Sequence, residues 1–160
     1  MTKGNFYFLK DEYCDKFKKY GVMDNKETIG QDLHGRPCFY AFTDEDDSTI
    51  YWMVPISSKG EKYEDILAEK LKRYDVYDGL EFGYVRGRKA AFLLQNICPI
   101  TEKYIREEYI DCNTGLPVSI PNDLKRAINA KARKIIRYAK KGTKISITDI
   151  MQILNELKSE

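Results

Sequence analysis

Two serines and a lysine stand side by side at the end of an apolar run, in the sequence YWMVPISSKGEKY at positions 51–63. Cleaving RNA needs no external nucleophile, because the ribose 2′-hydroxyl next to the phosphate can attack it. A protein then has to orient that hydroxyl, transfer protons and stabilise charge on phosphorus. Ser57, Ser58 and Lys59 offer groups for these tasks. Serines after a strand also form local turns with the backbone, and from this segment alone a polar turn is the favoured interpretation.

Other common kinds of site have little support in the sequence. It contains no glycine-rich phosphate loop, no dinucleotide-binding fingerprint and no zinc motif. The acidic segment TDEDDS at 43–48 offers oxygen ligands for Mg²⁺, but adjacent carboxylates in a turn point in different directions and do not converge on an ion. We therefore predict neither a metal nor a cofactor.

The composition indicates a folded, water-soluble protein. The chain has 160 residues, of which 42% are hydrophobic, and its formal net charge is +2; we expect one domain over 1–160. No apolar stretch approaches the roughly 20 residues that span a bilayer, and we expect neither a signal peptide nor a membrane partner. The four cysteines, Cys14, Cys38, Cys98 and Cys112, lie far apart, which favours reduced buried thiols in the cytoplasm.

Positive charge is concentrated in one segment, 122–144. It holds nine basic residues and a single acid, Asp123. Such a segment can bind a polyanion locally although the whole chain is nearly neutral. A solvated helix face is the alternative interpretation of this pattern.

The hydrophobic periodicity predicts an α+β fold, with a small and mostly antiparallel sheet or barrel covered by helices. Short strands are expected at 5–9 and 96–111, and hairpins at 37–55 and 79–95. Helices are expected at 10–21 and 62–75. Residues 22–36 are polar and contain two glycines, so we expect a loop there.

Two helices are predicted at the end of the sequence. The first begins at Pro121 and Asn122. Its apolar stripe is Leu124, Ile128, Ala132, Ile135 and Ala139, with arginines and a lysine on the opposite side. In the second, Ser146 followed by Asp149 resembles a capping box, and Ile147 is expected to face the core.

The ordered series of these segments resembles the type III toxin–antitoxin endoribonucleases, the ToxN/AbiQ family. YWMVPISSKGEKY resembles that family's P-[LI]-[TS]-S-x-K region. An aromatic first strand followed by a helix with Tyr13, the strand AAFLLQNICPI at 90–100, and the basic helix within 123–141 also recur there. The resemblance spans most of the chain, and it favours an enzymatic role for Ser57, Ser58 and Lys59 over a turn.

The resemblance implies a compact Kid/MazF-like barrel elaborated with helices. It implies metal-independent cleavage of cellular and phage RNA that leaves 2′,3′-cyclic phosphate and 5′-hydroxyl ends. It also implies phage resistance by abortive infection. The implied partner is an antitoxin RNA whose repeats the toxin processes. Each repeat folds as a pseudoknot and inhibits the toxin in a closed protein–RNA assembly. No DNA partner is implied.

The resemblance also implies site residues. The family's hydroxyl pair corresponds to Ser57 and Ser58, and its helix tyrosine to Tyr13. Where the family has a lysine before the hairpin, this sequence has Arg36, with His34 nearby, and Lys59 stands one place early. These departures leave the general base and general acid unassigned, since an arginine is almost always protonated. The candidate RNA-binding residues are Lys62, Arg86, Arg88, Lys125, Arg126, Arg133, Lys134, Arg137 and Lys140.

Two functions other than cleavage are compatible with the sequence. A non-catalytic RNA-binding module would need only the basic helix. A DNA-binding regulator could place that helix in a major groove, but the sequence has no recognisable helix-turn-helix pairing.

Overall fold

The computed structural model describes all residues 1–160 and contains nine β-strands and four α-helices. The strands are β1 (Phe6–Leu9), β2 (Lys26–Ile29), β3 (Asp32–Gly35), β4 (Cys38–Thr43), β5 (Tyr51–Ser57), β6 (Glu81–Val85), β7 (Arg88–Phe92), β8 (Cys98–Ile100) and β9 (Ile105–Glu108). The helices are α1 (Asp11–Phe17), α2 (Gly60–Leu71), α3 (Asn122–Lys140) and α4 (Ile150–Lys158). The predicted α+β class is confirmed. None of these helices combines the length and apolar character that crossing a membrane requires.

Seven strands form one antiparallel sheet in the order β6-β7-β5-β4-β1-β9, and β8 also pairs with β5. The expected antiparallel sheet is confirmed, but it does not close into the barrel that the resemblance implies, because the edge strands β6 and β9 do not pair with each other. Helix α3 packs against β6 instead. A Cβ atom at Gly83 of β6 would lie only 2.2 Å from Leu124 Cδ2 of α3, so the absence of a side chain there lets helix and strand approach closely.

Strand β5 is the point where the sheet divides. Its first residues pair with β8, and its last two, Ile56 and Ser57, pair with β7. Pro55 lies at this change of partner, and its carbonyl accepts a hydrogen bond from the N–H of Leu93 at 2.8 Å. Ser58 follows directly where the strand ends. The last residue of the strand, Ser57, is buried, and Ser58, the first residue beyond it, is exposed.

The main core lies between this sheet and helices α1, α3 and α4. Phe6, Phe39 and Phe92 pack together at its centre, with ring centroids of Phe6 and Phe39 5.4 Å apart. The predicted stripe of α3 is confirmed, since Ile128, Ala132 and their neighbours along the stripe are buried, with Leu124 partly buried. Because this core is closely packed, the sheet holds β5 in a fixed position.

Residues 22–36 are not simply a loop, because they contain the hairpin formed by β2 and β3. Ile29 pairs with Asp32 across the two-residue turn Gly30–Gln31, and Gly30 has φ of +64°, as such tight turns require. The hairpin pairs with no strand of the main sheet, and both of its strands are largely exposed. The sequence of this hairpin therefore lacks the alternation of apolar and polar residues by which a half-buried strand is recognised.

Helix α4 begins later than the predicted capping box. Asp149 is its N-cap, and its side chain accepts a hydrogen bond from the N–H of Gln152. Ser146 instead donates to the carbonyl of Thr148, and Ile147 is exposed rather than in the core. Among the cysteines, Cys14, Cys38 and Cys98 are buried thiols as expected, but Cys112 is exposed.

Candidate functional site

A groove of about 490 Å³ lies at the end of β5, between the β2–β3 hairpin and the β6–β7 hairpin. Its lining includes Glu27 and His34 from the first hairpin, Ser58 from the end of β5, and Arg86 and Arg88 from the second hairpin. Four of these five are residues that the sequence singled out. The groove thus brings a hydroxyl, an imidazole, a carboxylate and two guanidinium groups to one surface.

The Glu27 carboxylate holds the end of β5 in place. Its Oε1 accepts a short hydrogen bond from the hydroxyl of Ser57. Its Oε2 accepts from the N–H of Ser58 at 3.2 Å and from the Ser58 hydroxyl at 3.3 Å. Ser58 is exposed, whereas Ser57 is only 1% exposed. Ser57 is therefore a buried support of the site, and Ser58 is the hydroxyl that a ligand in the groove can reach.

Two of the three guanidinium nitrogens of Arg36 are bound within the protein. Its Nη1 donates to the carbonyl of Ile56 at 3.1 Å and its Nε to the carbonyl of Asp24 at 3.0 Å, and the residue is buried. Nη1 also lies 3.8 Å from Glu27 Oε1. Nε and Nη1 thus join the hairpin to β5, and Arg36 is not among the residues that line the groove. The phosphate contact by Arg36 stays a prediction.

His34 lies directly opposite Glu27 on the β2–β3 hairpin. Residues opposite each other on antiparallel strands share one face, with Cβ atoms about 4.5–5.5 Å apart. His34 is exposed, and both residues line the groove. An imidazole can hold or release a proton near neutral pH. The hairpin therefore places a proton-transferring group beside the Ser58–Glu27 pair.

The cations of the groove come from the β6–β7 turn. Arg86 has φ of +51°, and its guanidinium donates to the Tyr109 hydroxyl at 3.1 Å and lies 3.4 Å from the Asp111 carboxylate. Arg88 is exposed and has no acidic partner. Arg88 is therefore the groove cation that is free to pair with an anionic ligand.

Lys59 and Lys62 stand where α2 begins, immediately after Ser58. Both are exposed and neither forms an ion pair. The N–H of Lys59 donates to the Ser57 hydroxyl at 3.1 Å, which fixes the backbone at this point. The N-terminus of a helix favours anions, because its first N–H groups have no intrahelical partner. Neither lysine is among the residues that line the groove, so both cations lie beside it at the start of α2.

Tyr13 lies in the core and not in the groove. It is fully buried, and its hydroxyl donates to the carbonyl of Pro99 at 2.6 Å. Burial raises the pKa of this phenol well above its ordinary value. The predicted catalytic role for Tyr13 is wrong in this structure, because its ring packs against Phe17 and Tyr104 and cannot reach a ligand.

The basic helix α3 is less free to bind a polyanion than its sequence indicates. Four of its basic residues have acidic partners from elsewhere in the chain, and none of the helix lines the groove. The pairs are Lys131 with Glu81, Arg133 with Glu45, Lys134 with Asp78, and Lys140 with both Asp44 and Asp46. Lys125, Arg126 and Arg137 have no such partner. The acidic turn therefore neutralises part of this helix and does not lie apart from it.

The ion pair between Lys140 of α3 and Asp44 is expected to stabilise the fold. Asp44 is largely buried and accepts hydrogen bonds from Lys140 at 2.9 Å and from the indole N–H of Trp52 at 2.9 Å. Burial alone would raise the pKa of Asp44, but the bonds from Lys140 and Trp52 outweigh burial and lower it. Lys140→Met leaves this carboxylate short of a partner, and we expect it to cost about 1–3 kcal/mol of unfolding free energy at neutral pH.

Urea denaturation checks this prediction, with Arg126→Met on the same helix as the control. Arg126 is exposed and unpaired, so its loss should change stability by less than about 0.5 kcal/mol. Because the pKa of Asp44 is lowered on folding, its contribution is complete above its ordinary value of 3.8 and is lost as the pH falls through the lowered value. The Lys140→Met deficit should shrink in that range, and a deficit that stays constant there would contradict this account.

Glu27 is the site residue that the sequence did not reveal. The segment KETIGQDLHG contains a two-residue turn with a leading glycine, and this signal would have predicted the hairpin. A hairpin places Glu27 opposite His34. The bond to Ser58, however, joins residues 31 positions apart, and no local pattern reports such a contact.

The chain is similar in structure to two proteins of known structure. One is AbiQ, a lactococcal anti-phage endoribonuclease of the type III toxin–antitoxin system, with a TM-score of 0.69 and 12% sequence identity over 99% of this chain and 98% of that one. The other comes from a bacterial antiviral system regulated by a processed non-coding RNA, with a TM-score of 0.64 and 12% identity over 98% of both chains. No protein-family profile and no curated protein sequence matches the chain. The chain therefore has the fold of AbiQ over nearly its full length.

Proposed function

We propose that this chain is a metal-independent endoribonuclease, the toxin of a type III toxin–antitoxin system in antiphage defence. The proposal depends chiefly on one observation: Ser58, His34 and Arg88 line a single groove in a chain with the fold of AbiQ. These three groups match what transesterification of RNA requires. A cytoplasmic location belongs to the same proposal.

In the proposed reaction the ribose O2′ attacks the adjacent phosphorus and forms the O2′–P bond, while the P–O5′ bond breaks. Ser58 orients the attacking 2′-hydroxyl. His34 gives a proton to the departing O5′, which leaves as a hydroxyl. Arg88 and Lys59 stabilise the added negative charge on the phosphate oxygens. The products are a 2′,3′-cyclic phosphate and a 5′-hydroxyl end.

The proposed partner is a repeated antitoxin RNA that the enzyme processes and that then occupies the same groove as a folded pseudoknot. AbiQ belongs to a type III toxin–antitoxin system, and the second similar protein comes from a system regulated by a processed non-coding RNA. A product that stays bound in the groove blocks further substrate. A short repeat array next to the gene would support this part of the proposal.

Incubation of the purified protein with single-stranded and structured RNA in EDTA tests the proposal. Cleavage with cyclic-phosphate ends supports it. Intact RNA in a stable complex would overturn the enzymatic proposal and favour a non-catalytic RNA-binding module. An inactive protein that binds no RNA would contradict both.

We expect the groove cations and the α3 cations to contribute differently to RNA affinity. Arg88→Ala should weaken binding of any RNA and reduce the slope of log affinity against log salt by about 0.7, the value for one lost phosphate contact on a single strand. Arg126→Ala combined with Arg137→Ala should weaken only RNA long enough to leave the groove, because both residues lie outside it.

Affinity measured over a salt series with a short and a long RNA distinguishes these surfaces. Lys131→Ala serves as the control for α3, since its ammonium is already paired with Glu81 at 2.8 Å. Equal losses for the short RNA in the Arg88 variant and the α3 double variant would contradict the division between the two surfaces.

A further inference from the structure

We propose that Glu27 is the proton-accepting partner of Ser58, so that the two residues together remove the proton of the ribose 2′-hydroxyl. The inference rests on the proposed function, and it assigns the general base, which the sequence left open. Glu27 acts through Ser58 and is therefore a positioning residue.

The two oxygens of the Glu27 carboxylate have different surroundings. Oε1 is held by the buried Ser57 hydroxyl and lies 3.8 Å from Arg36 Nη1. Oε2 accepts only from Ser58, through its N–H at 3.2 Å and its hydroxyl at 3.3 Å. The first oxygen therefore fixes the carboxylate, and the second faces the one serine that is exposed to the groove.

The direction of the Ser58 hydrogen bond decides what Ser58 can do. When its hydroxyl donates to Glu27, the lone pairs of Oγ remain available to accept the 2′-hydroxyl of a bound ribose. Without Glu27, the Ser58 hydroxyl could equally donate its proton to a phosphate oxygen, which would not help the attack. The carboxylate thus selects the orientation of Ser58 that favours reaction.

The O2′ proton moves to Ser58 Oγ while the Ser58 hydroxyl proton moves to Glu27 Oε2, and the freed O2′ forms its bond to phosphorus. The P–O5′ bond breaks, and O5′ takes a proton from His34. Glu27 ends protonated and His34 neutral, and proton exchange with solvent restores both. No metal, oxidant or other co-reactant is consumed.

The charged and titratable groups around Glu27 come from three elements. Arg36 approaches from the chain after β3, and His34 lies opposite on β3. Tyr63 of α2 is buried within electrostatic range of both Glu27 and Arg36. The guanidinium of Arg36, with Nη1 3.8 Å from Oε1, is the positive charge that faces the carboxylate.

A double-mutant cycle tests the inference with the full chain and an RNA that the wild-type protein cleaves. Glu27→Gln keeps the size of the side chain but removes its charge, and we expect kcat to fall about 10²-fold, with RNA affinity within about threefold of wild type. In the Ser58→Ala background the same Glu27→Gln change should cost almost nothing, because residues that act as a unit are not additive.

Two more variants separate proton acceptance from support of the fold. Glu27→Asp keeps the charge and should retain more activity than Glu27→Gln, even though it shortens the side chain. Ser57→Ala removes a support of Oε1 but leaves Oε2 with Ser58, so its loss should be smaller than that of Glu27→Gln.

The outcomes distinguish this inference from the proposed function. A wild-type protein that does not cleave RNA overturns both. If the wild type cleaves and Glu27→Gln retains its kcat, or if the two substitutions multiply fully, the Glu27–Ser58 relay is wrong and the endoribonuclease proposal stands. If Glu27→Gln does not fold, the comparison of Glu27→Asp with Ser57→Ala decides, and a greater loss in Ser57→Ala overturns the relay.

Discussion

Ser58→Ala is expected to lower the kcat of RNA cleavage by about 10²–10³-fold, the loss typical of removing one oriented donor or acceptor at a reacting centre. Ser58 Oγ is the exposed hydroxyl at the end of β5, and its contact with Glu27 Oε2 fixes its orientation. RNA affinity should stay within about threefold of wild type, because the groove cations are retained. Single-turnover cleavage together with a binding titration measures both quantities.

The control for this prediction is Ser48→Ala. Ser48 is also an exposed serine, but it lies in the turn between β4 and β5 and outside the groove. The Ser48→Ala variant should cleave RNA at the wild-type rate. Ser58→Ala that cleaves as fast as Ser48→Ala would remove Ser58 from the chemistry.

His34→Asn is expected to lower kcat by about 10²–10⁴-fold on ordinary RNA, the range associated with loss of a general acid or base. His34 lies opposite Glu27 on the hairpin and lines the groove with Ser58, so its imidazole is well placed to protonate the departing O5′. A substrate with sulfur in place of the bridging 5′-oxygen needs no such proton, because a thiolate is a good leaving group. With that substrate the deficit of His34→Asn should largely disappear.

Gln31→Ala serves as the hairpin control, because Gln31 is exposed at the turn of the same hairpin. It should behave as wild type with both substrates. An equal deficit of His34→Asn on the oxygen and the sulfur substrate would show that His34 has some role other than protonating the leaving group.

The parts of the fold that the sequence predicted correctly are those with strong periodicity. The stripe of α3 that contains Ile128 and Ala132 gave a helix with the correct buried face. The two apolar runs around the acidic turn gave the β4–β5 hairpin. Burial of apolar side chains at regular spacing decides such elements, and the spacing is visible in the sequence.

The errors concern features that long-range contacts determine. Tyr13 stands on the same stripe as Phe17, and the sequence could not show that its hydroxyl is satisfied by Pro99, 86 positions away. The sequence also could not show that Nη1 of Arg36 donates to the carbonyl of Ile56, 20 positions away. The sequence indicates more unpaired basic residues on α3 than the structure has, because the acids that pair with them, such as Asp44, come from other parts of the chain.

The candidate site was predicted in part for the same reason. Ser57 and Ser58 follow an apolar run, and that local pattern correctly marks the end of a strand. The sequence could not distinguish the buried member of the pair from the exposed one, because that depends on Glu27, which approaches from a separate hairpin. The grouping of Ser58 with His34 and Arg88 likewise exists only in three dimensions.

The central claim is that this groove makes a ribose attack its own phosphodiester, and removal of the attacking group tests it most directly. After the cleavage position in an RNA is mapped, the nucleotide on its 5′ side is replaced by the 2′-deoxy form, and cleavage is measured in EDTA. We expect that this bond is no longer cut, while the all-ribose RNA yields a 2′,3′-cyclic phosphate. Cleavage of the 2′-deoxy bond at a comparable rate would contradict the account.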